Sequence, residues 1–143
     1  MANYYCVMRT NYFRVKDEEK FLGLMESVCS GEDELQIWSE TDAEGAKRFG
    51  FGVYDSIRGI NLTGDQDEDP DYDAFIMALQ DCVADDDAII IMEAGHEKLC
   101  YVGGSAEVIT SQRHDYINIT DSAVKMAKEM LNYPDWTTKC DYS

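Results

Sequence analysis

Basic residues are what this chain has least of. Twelve Lys and Arg stand against 29 Asp and Glu, a formal charge of −17. Between Arg58 and Lys98 there is no Lys or Arg, while Asp65, Asp67, Glu68, Asp69, Asp71, Asp73, Asp81, Asp85, Asp86 and Asp87 fall inside that gap. Phosphate contacts need Lys and Arg gathered on one face, so direct nucleic-acid binding is not expected. An anionic membrane surface is disfavoured for the same reason.

Long apolar runs are missing as well. The longest aliphatic run, Ile89-Ile90-Ile91-Met92, is far short of a membrane span. The start, Met1-Ala2-Asn3-Tyr4-Tyr5, has neither a basic n-region nor an apolar h-region, which predicts no signal peptide. No C-x-x-C pair occurs: Cys6, Cys29, Cys82, Cys100 and Cys140 are odd in number and widely spaced, a pattern of reduced thiols. Asn61-Leu62-Thr63 and Asn118-Ile119-Thr120 are then chance matches to the glycosylation triplet. The expectation is a soluble cytosolic protein.

What is present is enough for a core. The chain is 45% hydrophobic, with five Phe, nine Tyr and two Trp, whereas disordered acidic tails lack aromatics and aliphatic runs. Its 143 residues predict a single globular domain over 1–143. Tyr4 to Val15 reads as an opening strand. Asp17 is a candidate N-cap, and Phe21, Leu22, Leu24, Met25 and Val28 form an apolar helical face that ends near Ser30-Gly31. Alternation at Leu35, Ile37 and Ser39, a turn at Asp42 to Gly45, and alternation at Phe49, Phe51 and Val53 predict a hairpin.

An acidic loop from Thr63 to Pro70 leads into a helix from about Asp71, with Phe75, Leu79, Cys82 and Val83 on one side. The run from Ala88 to Met92 reads as a central strand covered on both faces. Further strands are expected over Leu99 to Thr110 and Tyr116 to Thr120. Gly103-Gly104 marks a bulge or a close backbone approach. A last helix, capped by Thr120 or Asp121, is expected to turn Val124, Ala127, Met130 and Leu131 inward and to stop at Asn132-Tyr133-Pro134. The order βαββαβββα predicts an α+β fold, a mostly antiparallel sheet of about five or six strands with three helices packed against it.

Catalytic signatures are absent. There is no G-x-x-x-x-G-K-[ST], G-x-G-x-x-G or H-E-x-x-H. Asp65-Gln66-Asp67-Glu68-Asp69 opens like a calcium loop, but Pro70 stands where the sharp turn needs Gly and Ile76 where the bidentate Glu belongs. His96 and Cys100 make only one loose pair, short of a zinc site. Carboxylate pairs are too numerous for the sequence to choose among them. No enzyme activity, metal or cofactor is implied.

The acidic pattern is the remaining candidate. Duplex DNA presents roughly one negative charge per 1.7 Å of axis, and its partners answer with basic grooves. A rigid domain with carboxylates along a ridge would occupy such a groove in place of DNA. Two stretches supply them: Glu32, Asp33, Glu34, Glu40, Asp42 and Glu44, then Asp65, Asp67, Glu68, Asp69, Asp71, Asp73, Asp81, Asp85, Asp86 and Asp87. Trp38 and Tyr72 are candidate anchors among them.

Three segments carry a resemblance. Tyr12 to Phe21 (YFRVKDEEKF), Ala88 to Leu99 (AIIIMEAGHEKL), and Tyr101-Val102-Gly103-Gly104 with Val108-Ile109-Thr110-Ser111 resemble small acidic proteins of bacterial phages and conjugative elements. Such elements encode inhibitors of host defence, and small acidic anti-CRISPR and anti-restriction proteins often act as DNA mimics. What the resemblance implies is a non-enzymatic inhibitor in the bacterial cytoplasm. Its expected partner is the basic nucleic-acid-binding surface of a CRISPR effector nuclease, type II first, or of a restriction–modification enzyme. The alternative is an immunity or regulatory module that binds a protein through an apolar surface.

Overall fold

The computed structural model describes residues 4–30, 33–61 and 69–140. Its main sheet is antiparallel and six-stranded. The strands are β1 (Tyr5–Thr10), β3 (Gln36–Thr41), β4 (Lys47–Val53), β6 (Ile89–Glu97), β7 (Tyr101–Ile109) and β8 (His114–Asn118), in the order β3-β4-β1-β6-β7-β8. Between them come α1 (Glu18–Glu26), α2 (Tyr72–Cys82) and α3 (Ile119–Leu131), so the expected α+β order βαββαβββα holds. A short antiparallel pair, β2 (Val28–Ser30) with β5 (Ile57–Ile60), adds two strands that the sequence pattern did not suggest.

Register fixes which side chains share a face. Met8 sits opposite Val53 and Glu93, and Thr10 opposite Ile91, while Ile91 faces Glu107 and Ile89 faces Ile109. With Phe49 and Phe51, this is the front face, and α1 and α2 cover it. Asp17 caps α1 by accepting from the Lys20 N–H at 3.2 Å. Periodicity then turns Phe21 and Met25 inward. The helix stops at Glu26 rather than near Ser30, because β-branched Val28 and Cys29 pair with Ile60 and Gly59 instead.

All five phenylalanines meet between helices and sheet. Phe13 packs edge-on to Phe21 and Phe51, Phe21 leans on Phe49, and Phe51 meets Phe75, with centroids 5.0–6.1 Å apart. Ile89, Ile109, Leu79 and Val83 complete a core from which water is excluded.

The other face of the sheet departs from expectation. Ile90 is half-buried and Met92 is 42% exposed, so the strand at Ala88 to Met92 is covered on one face only. Nor does α3 turn its apolar residues inward. Its cap is Asn118, not Thr120 or Asp121: the Asn118 side chain accepts from the N–H groups of both. No side chain on α3 is buried, and Met130 is 81% exposed and Leu131 57%. Asn132 ends the helix in the left-handed conformation, φ 53°, at the expected place. At Gly103-Gly104 the register runs on without a bulge, and side chains rather than backbone come close: the Tyr101 ring lies over Gly103 and the Ile119 side chain over Gly104.

Candidate functional site

Because Phe75, Ile76, Leu79 and Cys82 point into the core, helical geometry sends Asp73, Met77 and Asp81 to the solvent side of α2. The same logic on α1 directs Glu19 and Glu26 outward, opposite Phe21 and Met25. Both helices pack on Phe51, through Phe21 and Phe75, so they form one layer. The outer surface of that layer is therefore acidic. Asp73, Asp81, Glu19 and Glu26 make no ion pair among the described residues, and such unneutralised charges set the field a partner meets.

Other candidates are occupied within the fold. Asp71 caps α2, accepting from the Ala74 N–H at 3.0 Å. Asp42 accepts from the backbone N–H groups of Ala46 and Glu44, each at 2.9 Å, and meets Arg48 at 3.3 Å. The Ala46 bond above all, with those from Glu44 and Arg48, holds its carboxyl below the usual range. Asp85 pairs with Lys16 at 2.9 Å, Asp86 with Arg14 at 2.9 Å, and Asp87 accepts from the Arg14 backbone N–H at 2.8 Å. These three fasten the β1–α1 connection to the α2–β6 connection.

Asp33, Glu34, Glu40 and Glu44 are exposed at the two ends of β3, and Asp69 is exposed just before α2. Glu32, Asp65, Asp67 and Glu68 lie outside the described residues. Neither aromatic candidate is free to anchor a partner: Trp38 is half-buried with the Arg9 guanidinium 5.1 Å above it, and Tyr72 donates to Glu107.

Sequence reasoning missed a second cluster beneath α2. Glu93 on β6 and Glu107 on β7 project from the front face one diagonal apart. The Tyr72 hydroxyl donates to Glu107, and His114 Nε2 lies 3.6 Å from the same carboxylate. Tyr4 bonds Glu93. Burial, then the neighbouring Glu107, pushes the Glu93 carboxyl upward, while burial with the charge of Glu93 raises the Tyr4 hydroxyl to about 12. The Cys6 thiol is raised to about 11, chiefly by burial and by Glu93 and Asp55, so at neutral pH it stays protonated and a poor nucleophile.

A carboxyl raised by the fold binds its proton more tightly folded than unfolded. Stability is then fully present below the ordinary glutamate range and falls as pH climbs through the raised value. Glu93→Gln is therefore expected to raise the urea midpoint at pH 7. The gain should vanish below a pH of about 4, where Glu93 is protonated in both states. Denaturation of both proteins at the two pH values checks this, and an equal gain at both would contradict it.

The back of the sheet forms the second extended surface. Tyr5 and Val7 on β1, Met92 and Ala94 on β6, Val102, Gly104 and Ala106 on β7, and Ile117 on β8 lie side by side. Among the described residues, no cluster of three or more His, Cys, Asp or Glu fits a metal ion, and no helix is long and apolar enough to cross a membrane. No protein-family model, curated protein or solved structure matches the chain.

Proposed function

We propose that the protein is a non-enzymatic inhibitor that sets its acidic helix layer into a basic, nucleic-acid-binding groove of a bacterial defence nuclease. A type II CRISPR effector is the first target, and a restriction–modification enzyme the second. One observation carries the reading: Glu19, Glu26, Asp73 and Asp81 point to solvent from two helices on a shared phenylalanine core, and no described cation neutralises them. A rigid base matters, because carboxylates held in place lose little side-chain freedom when a groove closes on them. Asp85, Asp86 and Asp87, already paired within the fold, contribute to rigidity and not to the contact.

The test is DNA cleavage by a purified type II effector, with the protein added before guide, after guide, or after target DNA. Competition for the DNA groove predicts inhibition that disappears once DNA is bound and weakens as salt rises. Reversing Asp73 and Asp81 together with Glu19 and Glu26 to Lys should weaken inhibition more than about tenfold. Unchanged inhibition in that variant would sink the mimicry reading. No inhibition in any order of addition would remove this target.

A further inference from the structure

Among the described residues, the back of the sheet is free of carboxylates on β1, β6 and β7, while Asp115 on β8 shares that face with Ile117. On the back of the sheet, β1, β6 and β7 present Tyr5, Val7, Arg9, Ile90, Met92, Ala94, His96, Val102, Gly104, Ala106 and Val108, and no Asp or Glu. Alternation turns Glu93, Glu97 and Glu107 to the front. The same surface is open: Tyr5 is 62% exposed, Val102 and Ile117 each 58%.

The last helix extends it. Ile119 begins α3 directly over Gly104, where an added methyl group would stand 3.2 Å from the Ile119 Cδ1. Ala123, Met126 and Met130 follow Ile119 along one helical stripe, while Asp121, Lys125 and Lys128, on the opposite side, line a cleft with Tyr101 and Val102. Eight large apolar side chains of sheet and stripe are exposed, from Met92 at 42% to Met130 at 81%.

We infer that this face pairs with the same face of a second copy, giving a two-fold dimer. Two observations favour that occupant. A nucleic acid or an anionic membrane is repelled by a chain of net charge −17, and a basic protein finds no carboxylate on β1, β6 or β7 here. Two copies joined through the one face these strands leave free of carboxylates keep their acidic helix layers on the outside, far apart. Like charge is the main force against two such chains meeting, and this geometry minimises it. The pairing is isologous, so each contact occurs twice about the axis.

The inference stands on the sheet and α3 alone and survives if no nuclease is inhibited. The experiment is sedimentation velocity of the full chain from about 1 to 100 µM, a range that spans ordinary dimer affinities. A mass of two chains is expected, with tighter association at higher salt because screening weakens the repulsion. Val102→Glu and, separately, Met130→Glu should weaken the dimer by at least about tenfold. Their circular dichroism should match the parent, and so should their urea midpoints at concentrations where parent and variants are all monomeric, since both side chains are exposed. Met77→Glu, on the exposed side of α2, should leave the dimer intact. A single-chain mass at the highest concentration overturns the inference, and so does a dimer indifferent to both substitutions. A monomer that instead sediments with neutral phosphatidylcholine vesicles would assign the face to lipid and overturn it too.

Discussion

Phe51→Ala is expected to cost about 3–5 kcal/mol of folding stability, the range for deleting a fully buried phenylalanine ring. That is a large part of the ~5–15 kcal/mol that separates a typical domain from its unfolded state. Phe51 is 1% exposed and stands where every layer meets: edge-on to Phe13 at 6.1 Å, tilted against Phe21 at 6.5 Å, and edge-on to Phe75 at 6.1 Å. Removing the ring leaves a void between the sheet and both helices, and none of the three neighbours closes it without leaving its other contacts. The backbone of residue 51 also donates to the buried Thr10 hydroxyl at 3.0 Å, which limits how far β4 can shift to fill the gap. Urea denaturation of parent and variant gives the difference. A loss below about 1 kcal/mol would mean the core collapses around the void far more readily than close-packed interiors do.

A single added methyl group at Gly59 is expected to be nearly as damaging. Gly59 has φ +133°, a backbone conformation L-residues rarely adopt, and a Cβ there would stand 2.6 Å from the Tyr72 nitrogen. The obstruction is backbone, not a flexible side-chain end. Ile60 and Asp71 exchange two hydrogen bonds at that point, of 3.1 and 2.8 Å, which hold the start of α2 against β5. Gly59→Ala must either break them or carry the strain, at about 2–4 kcal/mol for conformational strain and clash together. The loss should show in the urea midpoint and as faster amide exchange in the first turn of α2. An unchanged midpoint would show that the junction gives way freely.

Much of this fold was legible in the residues, for reasons that also mark the limit. Asp71 followed by Phe75, Leu79 and Cys82 announces α2 because cap and period agree, and the Asp42–Gly45 turn between two alternating runs announces the β3–β4 hairpin. The β2–β5 pair was not legible. Strands of three and four residues carry too little alternation, and Gly59 interrupts what there is. For α3 the period gave the helix, but Val124, Ala127, Met130 and Leu131 do not turn inward as expected. Amphipathicity says that one side of a helix is apolar, not that the same chain provides its cover. The run Ile89 to Met92 misled in the same way, by promising a second covered face that α1 and α2 do not supply.

The acidic site divides along similar lines. Sequence proximity grouped Asp81 with Asp85, Asp86 and Asp87, yet the helix carries the first outward while Arg14 and Lys16 claim the others. Glu19 and Glu26 were not among the sequence candidates, and they join Asp73 and Asp81 on the outer side of the helix layer only because α1 and α2 share the Phe51 core. Glu93 and Glu107 belong to different strands, and nothing short of the register brings them together.

The position of β1 bears on how fast the molecule can be made. It is the earliest of the six strands in the chain, yet it lies inside the sheet between β4 and β6, with Tyr5 opposite His96 and Thr10 opposite Ile91. A ribosome releases β1 long before β6 exists, and until then only Met8 and Arg9, opposite Val53 and Gly52, have sheet partners on β4. Pairings so distant along the chain require a large loop to close before they yield any stabilisation, and sheets dominated by them fold slowly. Through that interval Val7 and Met8 sit on a strand with one edge unpaired, available to any other unfinished chain.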